Sequence, residues 1–301
     1  MARRVLVVLV GTGEGEETDH YQLLQQQEAR VEGDRAGVAT EVVLAPGFDH
    51  LRVIRKRLRA TDAPPIDAVV VEPASVSSTG LILKELDGTV GLVLLNIWSL
   101  EVEDYARRWK RSLPFGTLST PHRGIGEIQG RQVAARLAGG GHVLCVTGPE
   151  KSSAAVERLA GLRSVLGPEV TVYTTEAGQW TEPGGATAFE SWYSLYRSRA
   201  FSVDVVAAQS DELAVGAREA GHRAASEAHR EVFRKAAFLG IDACPGYGRR
   251  LVDSGVLAAS VTTPANTGEA IRRLKRFWDA GEALPLQAFT EPRAYPPASA
   301  A

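Results

Sequence analysis

Residues able to bind a metal or act as nucleophiles are few and poorly spaced in this chain. The two cysteines, Cys145 and Cys244, show neither CxxC nor His-paired zinc spacing and read as buried free thiols. The histidines at positions 20, 50, 122, 142, 222 and 229 include no HExxH pair, so no metal is expected. His222 and His229 read as the polar face of one helix. A GxSxG elbow is absent, so scattered Ser, His and Asp residues give no sign of a catalytic triad. These observations argue against an enzyme and against a cofactor.

Two glycine-containing turns could approach a phosphate. Gly11-Thr12-Gly13-Glu14-Gly15 follows an apolar run, but Glu14, Glu16, Glu17 and Asp19 would repel a bound phosphate, and the spacing departs from GxGxxG. Gly148-Pro149-Glu150-Lys151-Ser152-Ser153 lacks the glycine before the lysine that a P-loop requires. It reads instead as a helix start capped by Ser152 or Ser153.

A different chemistry is carried by polar and aromatic residues just beyond successive apolar runs. Asp19, His20 and Tyr21 follow the first run, and Asn96 and Trp98 follow the fourth. Gln179 and Trp180 lie in a later loop, Ser210 and Asp211 come after Val203–Gln209, and Asp242 ends Phe238–Ile241. Ring faces beside carboxylates, an amide and a cation suit a polyhydroxylated ligand, whose C–H faces pack on rings while its hydroxyls take directional hydrogen bonds.

The elements that must position these groups read as alternating strands and helices. Val5–Val10, Glu41–Ala45, Ala68–Val71 and Val90–Leu95 form one series of short apolar runs. Val143–Val146, Val170–Tyr173, Val203–Ala207, Ala236–Ile241 and Ala258–Val261 form a second. Such runs are what strands buried on both faces of a parallel sheet look like, and helical spacing separates them. The Pro/Gly/Thr/Ser segment Leu113–Pro121 reads as a crossing between the two halves, followed by a helix over 124–137. Ala270, Ile271, Leu274, Phe277 and Trp278 make one helical stripe, and the end of the chain, AYPPASAA, reads as disordered.

Bulk properties narrow the function further. At about 150 residues per domain, 301 residues allow two domains. A net charge of −2 does not favour nucleic acid as partner, because such affinity comes from neutralising phosphates. No window reaches the ~20 apolar residues of a membrane span, and the six apolar residues after Arg3-Arg4 fall short of an export signal.

The segments VDVVAAQSDELAVGAREAG and FLGIDACPGYGRRLVDSGVLAASVTTP, with VVVEPAS, GLVLLNIWS, GEIQGRQVAARLA and TGPEKSSAAVERLAGL ahead of them in order, resemble the type I periplasmic binding proteins. That group includes the ribose- and galactose-binding proteins and the effector-binding core of lactose-type repressors. The resemblance implies an α/β fold of two doubly wound parallel-sheet domains joined by three crossovers, with ligand held in the cleft and enclosed by hinge bending. It places 1–119 plus 264–282 in the first domain, 120–263 plus 283–292 in the second, and 293–301 in a disordered tail.

By the same resemblance the ligand-binding residues are His20, Tyr21, Asn96, Trp98, Arg158, Trp180, Ser210, Asp242 and Thr263, with no catalytic, cofactor or metal site. Asn96 stands where the family places an acid, Ser210 where it places an amide, Ile97 where ribose binders place an arginine, and Glu72 where asparagine is commoner. The implied function is that of a periplasmic, monomeric solute-binding protein delivering a sugar or sugar-like polyol to an ABC transporter permease. The alternative is a ligand-sensing module of the same fold acting on a membrane receptor, kinase or transcriptional regulator. No function attaches to the insertion His222–Lys235.

Overall fold

The computed structural model describes residues 3–11, 20–73, 75–137, 139–150, 152–198 and 201–297. Two compact units emerge, Met1–Thr120 with Ala265–Thr290, and Pro121–Pro264 with Glu291–Ala301, so the chain passes from one to the other three times. The first unit contains β1 (Arg4–Val10), α1 (His20–Ala36), β2 (Ala39–Ala45), α2 (His50–Leu58), β3 (Ala68–Val71), α3 (Val76–Leu86), β4 (Gly91–Leu95), α4 (Leu100–Arg108) and β5 (Phe115–Ser119). The second continues with α5 (His122–Ala134), β6 (Gly141–Thr147), α6 (Ser153–Ser164), β7 (Val170–Glu176) and α7 (Glu182–Tyr196). It goes on through β8 (Val205–Ala208), α8 (Asp211–His222), α9 (Glu227–Lys235), β9 (Ala237–Leu239), α10 (Gly248–Asp253) and β10 (Ser260–Thr262). Then α11 (Asn266–Ala280) and β11 (Gln287–Phe289) return to the first unit, and β12 (Arg293–Tyr295) belongs to the second.

The first unit is a six-stranded sheet ordered β11-β5-β4-β3-β1-β2, parallel throughout. Its strands are apolar on both faces because both faces are covered. Val5, Val7 and Leu9 pack with Ile271 and Leu274 of α11, whereas Leu6 and Val8 pack with Ile54, Ile82 and Leu83 on the opposite side. The alternation follows the two-residue period of a strand. In the second unit, β7-β6-β8-β9 form a parallel sheet, with β10 and β12 as an antiparallel pair beside it. Each sheet therefore presents a row of strand C-termini, the edge at which open α/β sheets bind ligands.

Several expectations need correction. Residues 113–121 are more than a crossing, because β5 lies among them, paired with β4 and β11. Its Pro, Gly and hydroxyl residues hide the strand from a hydropathy reading. Gly116 has a packing reason, since a Cβ there would meet the carbonyl oxygen of Pro285 at 2.8 Å, where the chain approaches β11. The stretch 283–292, expected in the second domain, instead supplies β11 to the first unit's sheet. Residues 293–295 of the expected disordered tail form β12 against β10, while 298–301 lie outside the described residues.

His222 and His229 sit on different helices, α8 and α9. The insertion builds α9, whose Phe233 is fully buried against Phe189, and whose His229 Nδ1 lies 2.8 Å from the Tyr193 hydroxyl. The insertion thus completes a core. Ser152 precedes α6 without a side-chain cap, and Ser210, not Asp211, caps α8.

Candidate functional site

The second unit gathers Arg158, Trp180, Asp242 and Thr263 at the C-terminal edge of its sheet. Arg158 projects from α6 and is only 6% exposed. Its NH1 donates to the Gln209 carbonyl at 2.5 Å, which fixes the guanidinium at the end of β8. Gln209 is itself anchored, donating to the Ala155 carbonyl at 2.9 Å and accepting from the Gly148 N–H at 2.9 Å. The Arg158 Cζ stands 5.5 Å from the Trp180 ring centroid, within cation–π range. A Cβ on Gly148 would meet that ring at 2.0 Å, so the Gly148 turn is the seat of the indole.

Asp242 follows β9 in an unusual backbone. Its φ is 101° and that of Ala243 is 42°, both in the region L-residues avoid. Such strain persists only where the surroundings over-determine it. Here Asp211 Oδ2 accepts from the Ala243 N–H at 2.7 Å while its Oδ1 accepts from the Ser260 hydroxyl at 2.6 Å. Asp242 is further tied by its own N–H to the Val261 carbonyl at 2.8 Å, and its carbonyl accepts from the Thr263 N–H at 3.1 Å. The result is a carboxylate aimed by the fold rather than by its own preference.

The Arg158 NH2 to Asp242 Oδ1 distance is 3.7 Å, an attraction too long for a hydrogen bond. Asp242 Oδ1, Arg158 Nε and Thr263 Oγ1 are also buried, and none has a partner at full hydrogen-bond geometry among the described residues, although the Thr263 side chain stands near enough to the Asp242 carboxyl to favour its ionised form. Leaving such groups unpaired costs about 1–3 kcal/mol each. Burial pushes the Asp242 carboxyl up to about 6, with Arg158 and, less, Thr263 opposing and Glu212 reinforcing the rise. Asp211 is raised well above the ordinary carboxylate range, by burial first and by Asp242 second.

The first unit carries a polar network at the ends of β3, β4 and β5. Asn96, left-handed at φ 55°, donates from Nδ2 to Glu72 Oε1 at 2.7 Å. Its Oδ1 accepts from the Thr120 N–H at 3.0 Å and from Asn266 Nδ2 at 2.8 Å. Gln22 Nε2 donates to Glu72 Oε2 at 2.9 Å, and the Tyr21 hydroxyl lies 3.5 Å from Thr120 Oγ1. Asn96 is therefore committed to holding Thr120 and Asn266 in place, while each oxygen of the Glu72 carboxylate keeps a lone pair beyond the amide it accepts.

Of the expected residues, the structure brings Arg158, Trp180, Asp242 and Thr263 together, and it links Tyr21 to Asn96 through Thr120. His20 begins α1. Ile97 and Trp98 pack partly buried against the core of the first unit, so the indole supports the loop. The Ser210 hydroxyl accepts from the Leu213 N–H at 3.1 Å as the cap of α8. Residues 12–19, with the carboxylates and most of the Gly11–Gly15 turn, lie outside the described residues, as does Lys151. The sequence reading missed Gln22, Thr120, Gln209 and Asn266, which have no motif. It noted Glu72 only as a departure, although Glu72 ends β3 by the same rule that singled out Asn96.

Residues 110–274, more than half of the chain, match a family model described as a periplasmic binding protein domain. Over 158 residues, 52% of its length, the chain is 25% identical to the xylitol-binding protein of Mycolicibacterium smegmatis, and it spans only 42% of that protein. A solute-binding protein of an ABC transporter from Actinobacillus succinogenes, solved with bound D-allose, superposes with a TM-score of 0.80 at 13% identity, covering 97% of this chain and 96% of that one. A Mycobacterium smegmatis protein in complex with β-D-fucofuranose superposes at 0.77 with 18% identity, covering 97% and 91%. At these identities the likeness to the solved structures is one of fold.

Proposed function

Because the chain belongs to the periplasmic binding protein domain family, we propose that it captures a sugar or sugar-like polyol outside the cytoplasm and delivers it to an ABC transporter, without catalysing a reaction. The observation that carries this reading is the Arg158–Asp242–Trp180 cluster in the second unit. A guanidinium and a carboxylate 3.7 Å apart, each with a buried unpaired atom, match a hydroxyl that accepts from one and donates to the other. The indole beside them supplies a ring face for C–H groups. The xylitol-binding protein and the proteins solved with D-allose and β-D-fucofuranose described above support the same ligand class.

Among the described residues no helix is long and apolar enough to cross a membrane, and no group of His, Cys, Asp and Glu is arranged to hold a metal ion. The extracytoplasmic site of action rests on family membership. The test is a thermal-shift screen of the full chain against xylitol, D-allose, myo-inositol, pentoses, hexoses and NAD(P). At 100 times Kd a ligand adds about 2.7 kcal/mol, a rise in midpoint of several degrees. A rise with a sugar or polyol supports the reading. A rise with NAD(P) alone would sink it.

A further inference from the structure

One side chain near this cluster is not accounted for by the family resemblance. His122 opens α5, and its Nδ1 is buried without a hydrogen-bond partner among the described residues. α5 and α6 pack closely along glycines. A Cβ on Gly126 would meet the Arg158 carbonyl oxygen at 2.0 Å, and one on Gly130 would meet the Leu162 carbonyl oxygen at 2.8 Å. A Cβ on Gly161 would in turn meet the Arg123 carbonyl oxygen at 2.0 Å, so residues 123–130 of α5 lie against 158–162 of α6, and both helices run in the same direction because α5 leads into the start of β6 and α6 leaves its end. His122 extends the same stripe one turn toward the helix N-termini, because residues four apart share a helix face. Helical side chains lean toward the N-terminus as well, so Arg158 reaches up from its own level toward that of His122.

The imidazole is placed on the Arg158 side of α5, and the guanidinium is near enough for its charge to count. Burial first and Arg158 second push the His122 pKa down to about 3. A neutral imidazole carries one donor and one acceptor nitrogen, a combination absent from the arginine and carboxylate beside it. His122 Nδ1, Arg158 Nε, Asp242 Oδ1 and Thr263 Oγ1 are all buried polar atoms of the second unit with no partner at full hydrogen-bond geometry among the described residues. Asp242 and Thr263 are joined through their backbones, and Arg158 stands 3.7 Å from Asp242. Arg158 is thus the link between His122 on one side and the Asp242–Thr263 pair on the other.

We infer that His122 is a ligand-contacting residue of the second unit, a neutral imidazole whose ring nitrogen takes a hydroxyl of the bound sugar or polyol next to the one held by Arg158 and Asp242. The inference rests on the sugar- or polyol-binding reading above. It makes ligand selection depend on a group able to both accept and donate, and so favours ligands with neighbouring hydroxyls over those with a single one.

Titration calorimetry with xylitol, D-allose and myo-inositol on the full chain tests it, using wild type, Arg158→Ala, His122→Phe and His122→Asn, with the unliganded melting midpoint of each variant as the control for folding. His122→Phe keeps the ring and removes both nitrogens. It is expected to weaken binding roughly 3- to 10-fold, the worth of one neutral hydrogen bond, while His122→Asn retains more of the affinity. In wild type the His122 side-chain nitrogen resonances should shift on adding the ligand that binds. Wild-type binding that Arg158→Ala weakens and His122→Phe leaves unchanged, with unmoved nitrogen resonances, would overturn the inference and leave the functional reading intact. Wild type binding no sugar or polyol of the thermal-shift panel, these three included, would remove the functional reading and this inference together.

Discussion

In the proposed site Arg158 is the residue on which affinity is expected to turn, because it is buried, held by Gln209, and paired with Asp242 too loosely to be satisfied. Arg158→Ala is expected to lose about 1.5–3 kcal/mol, a weakening of about one to two decades in Kd by calorimetry. Affinity unchanged by that substitution would remove Arg158 from the site. If the proposed site is right, Asp242 should make binding sensitive to pH. Its carboxyl titrates near 6 in the folded chain because burial disfavours the ionised form more than Arg158 favours it. A hydroxyl donating to the carboxylate needs that ionised form, so affinity should be full above pH 6 and fall below it.

The stability effect of Asp242 has the opposite sign. Its folded pKa lies above its ordinary value of 3.8, so between those limits the folded state binds the extra proton. The penalty of holding a buried charge is present above pH 6 and is relieved as pH falls toward 4. The unliganded protein should therefore gain stability from this group on going from pH 7 to pH 5, and Asp242→Asn should lose that gain. Melting curves of the two proteins across the range provide the comparison.

At the level of elements, the site depends on how tightly α5 lies on α6 and how well α7 to α9 support the second sheet. Gly126→Ala introduces a methyl where only 2.0 Å separates the new Cβ from the Arg158 carbonyl oxygen. Overpacking of that kind costs typically 1–3 kcal/mol. Since the displaced backbone carries Arg158, the variant should lose ligand affinity as well as melting temperature. Phe233→Ala tests the insertion differently. Phe233 is fully buried and meets Phe189 edge-on with ring centroids 4.8 Å apart. The expected loss is about 3–5 kcal/mol by denaturant titration. Affinity in the surviving folded fraction should be unchanged, because α9 supplies no group to the polar cluster.

For the whole molecule, the second crossing is decisive, since it returns a segment distant in sequence that completes the first unit. Thr117 donates from its N–H to the Leu286 carbonyl at 3.1 Å and from its hydroxyl at 2.9 Å, and the Thr290 N–H donates to the Ser119 carbonyl at 3.0 Å. A chain ending at Ala283 would bare one edge of β5 and is expected to melt lower than the full chain in calorimetry. An unchanged midpoint would mean that β11 contributes nothing to the sheet.

Much of this architecture is legible in the residues. Unbroken runs such as Val5–Val10 and Ala68–Val71 read as strands covered on both faces, and their alternation with helical stretches points to parallel sheets, as the pairing of β1 with β3 bears out. Strand-end residues such as Arg158's partner Asp242 and the ring of Trp180 also follow from order along the chain. What the tertiary structure alone decided were relations between distant segments. β5 and β11 carry too little hydrophobic signal to be read singly, and each is a strand because the other, or β4, pairs with it. The strained turn at Asp242 exists because Asp211, far away in sequence, holds the Ala243 N–H. Asn96 and Ser210 have side chains suited to a ligand but make hydrogen bonds with the scaffold. Local pattern reports which face of an element is buried, whereas the partner of each polar group depends on which segments packing brings together.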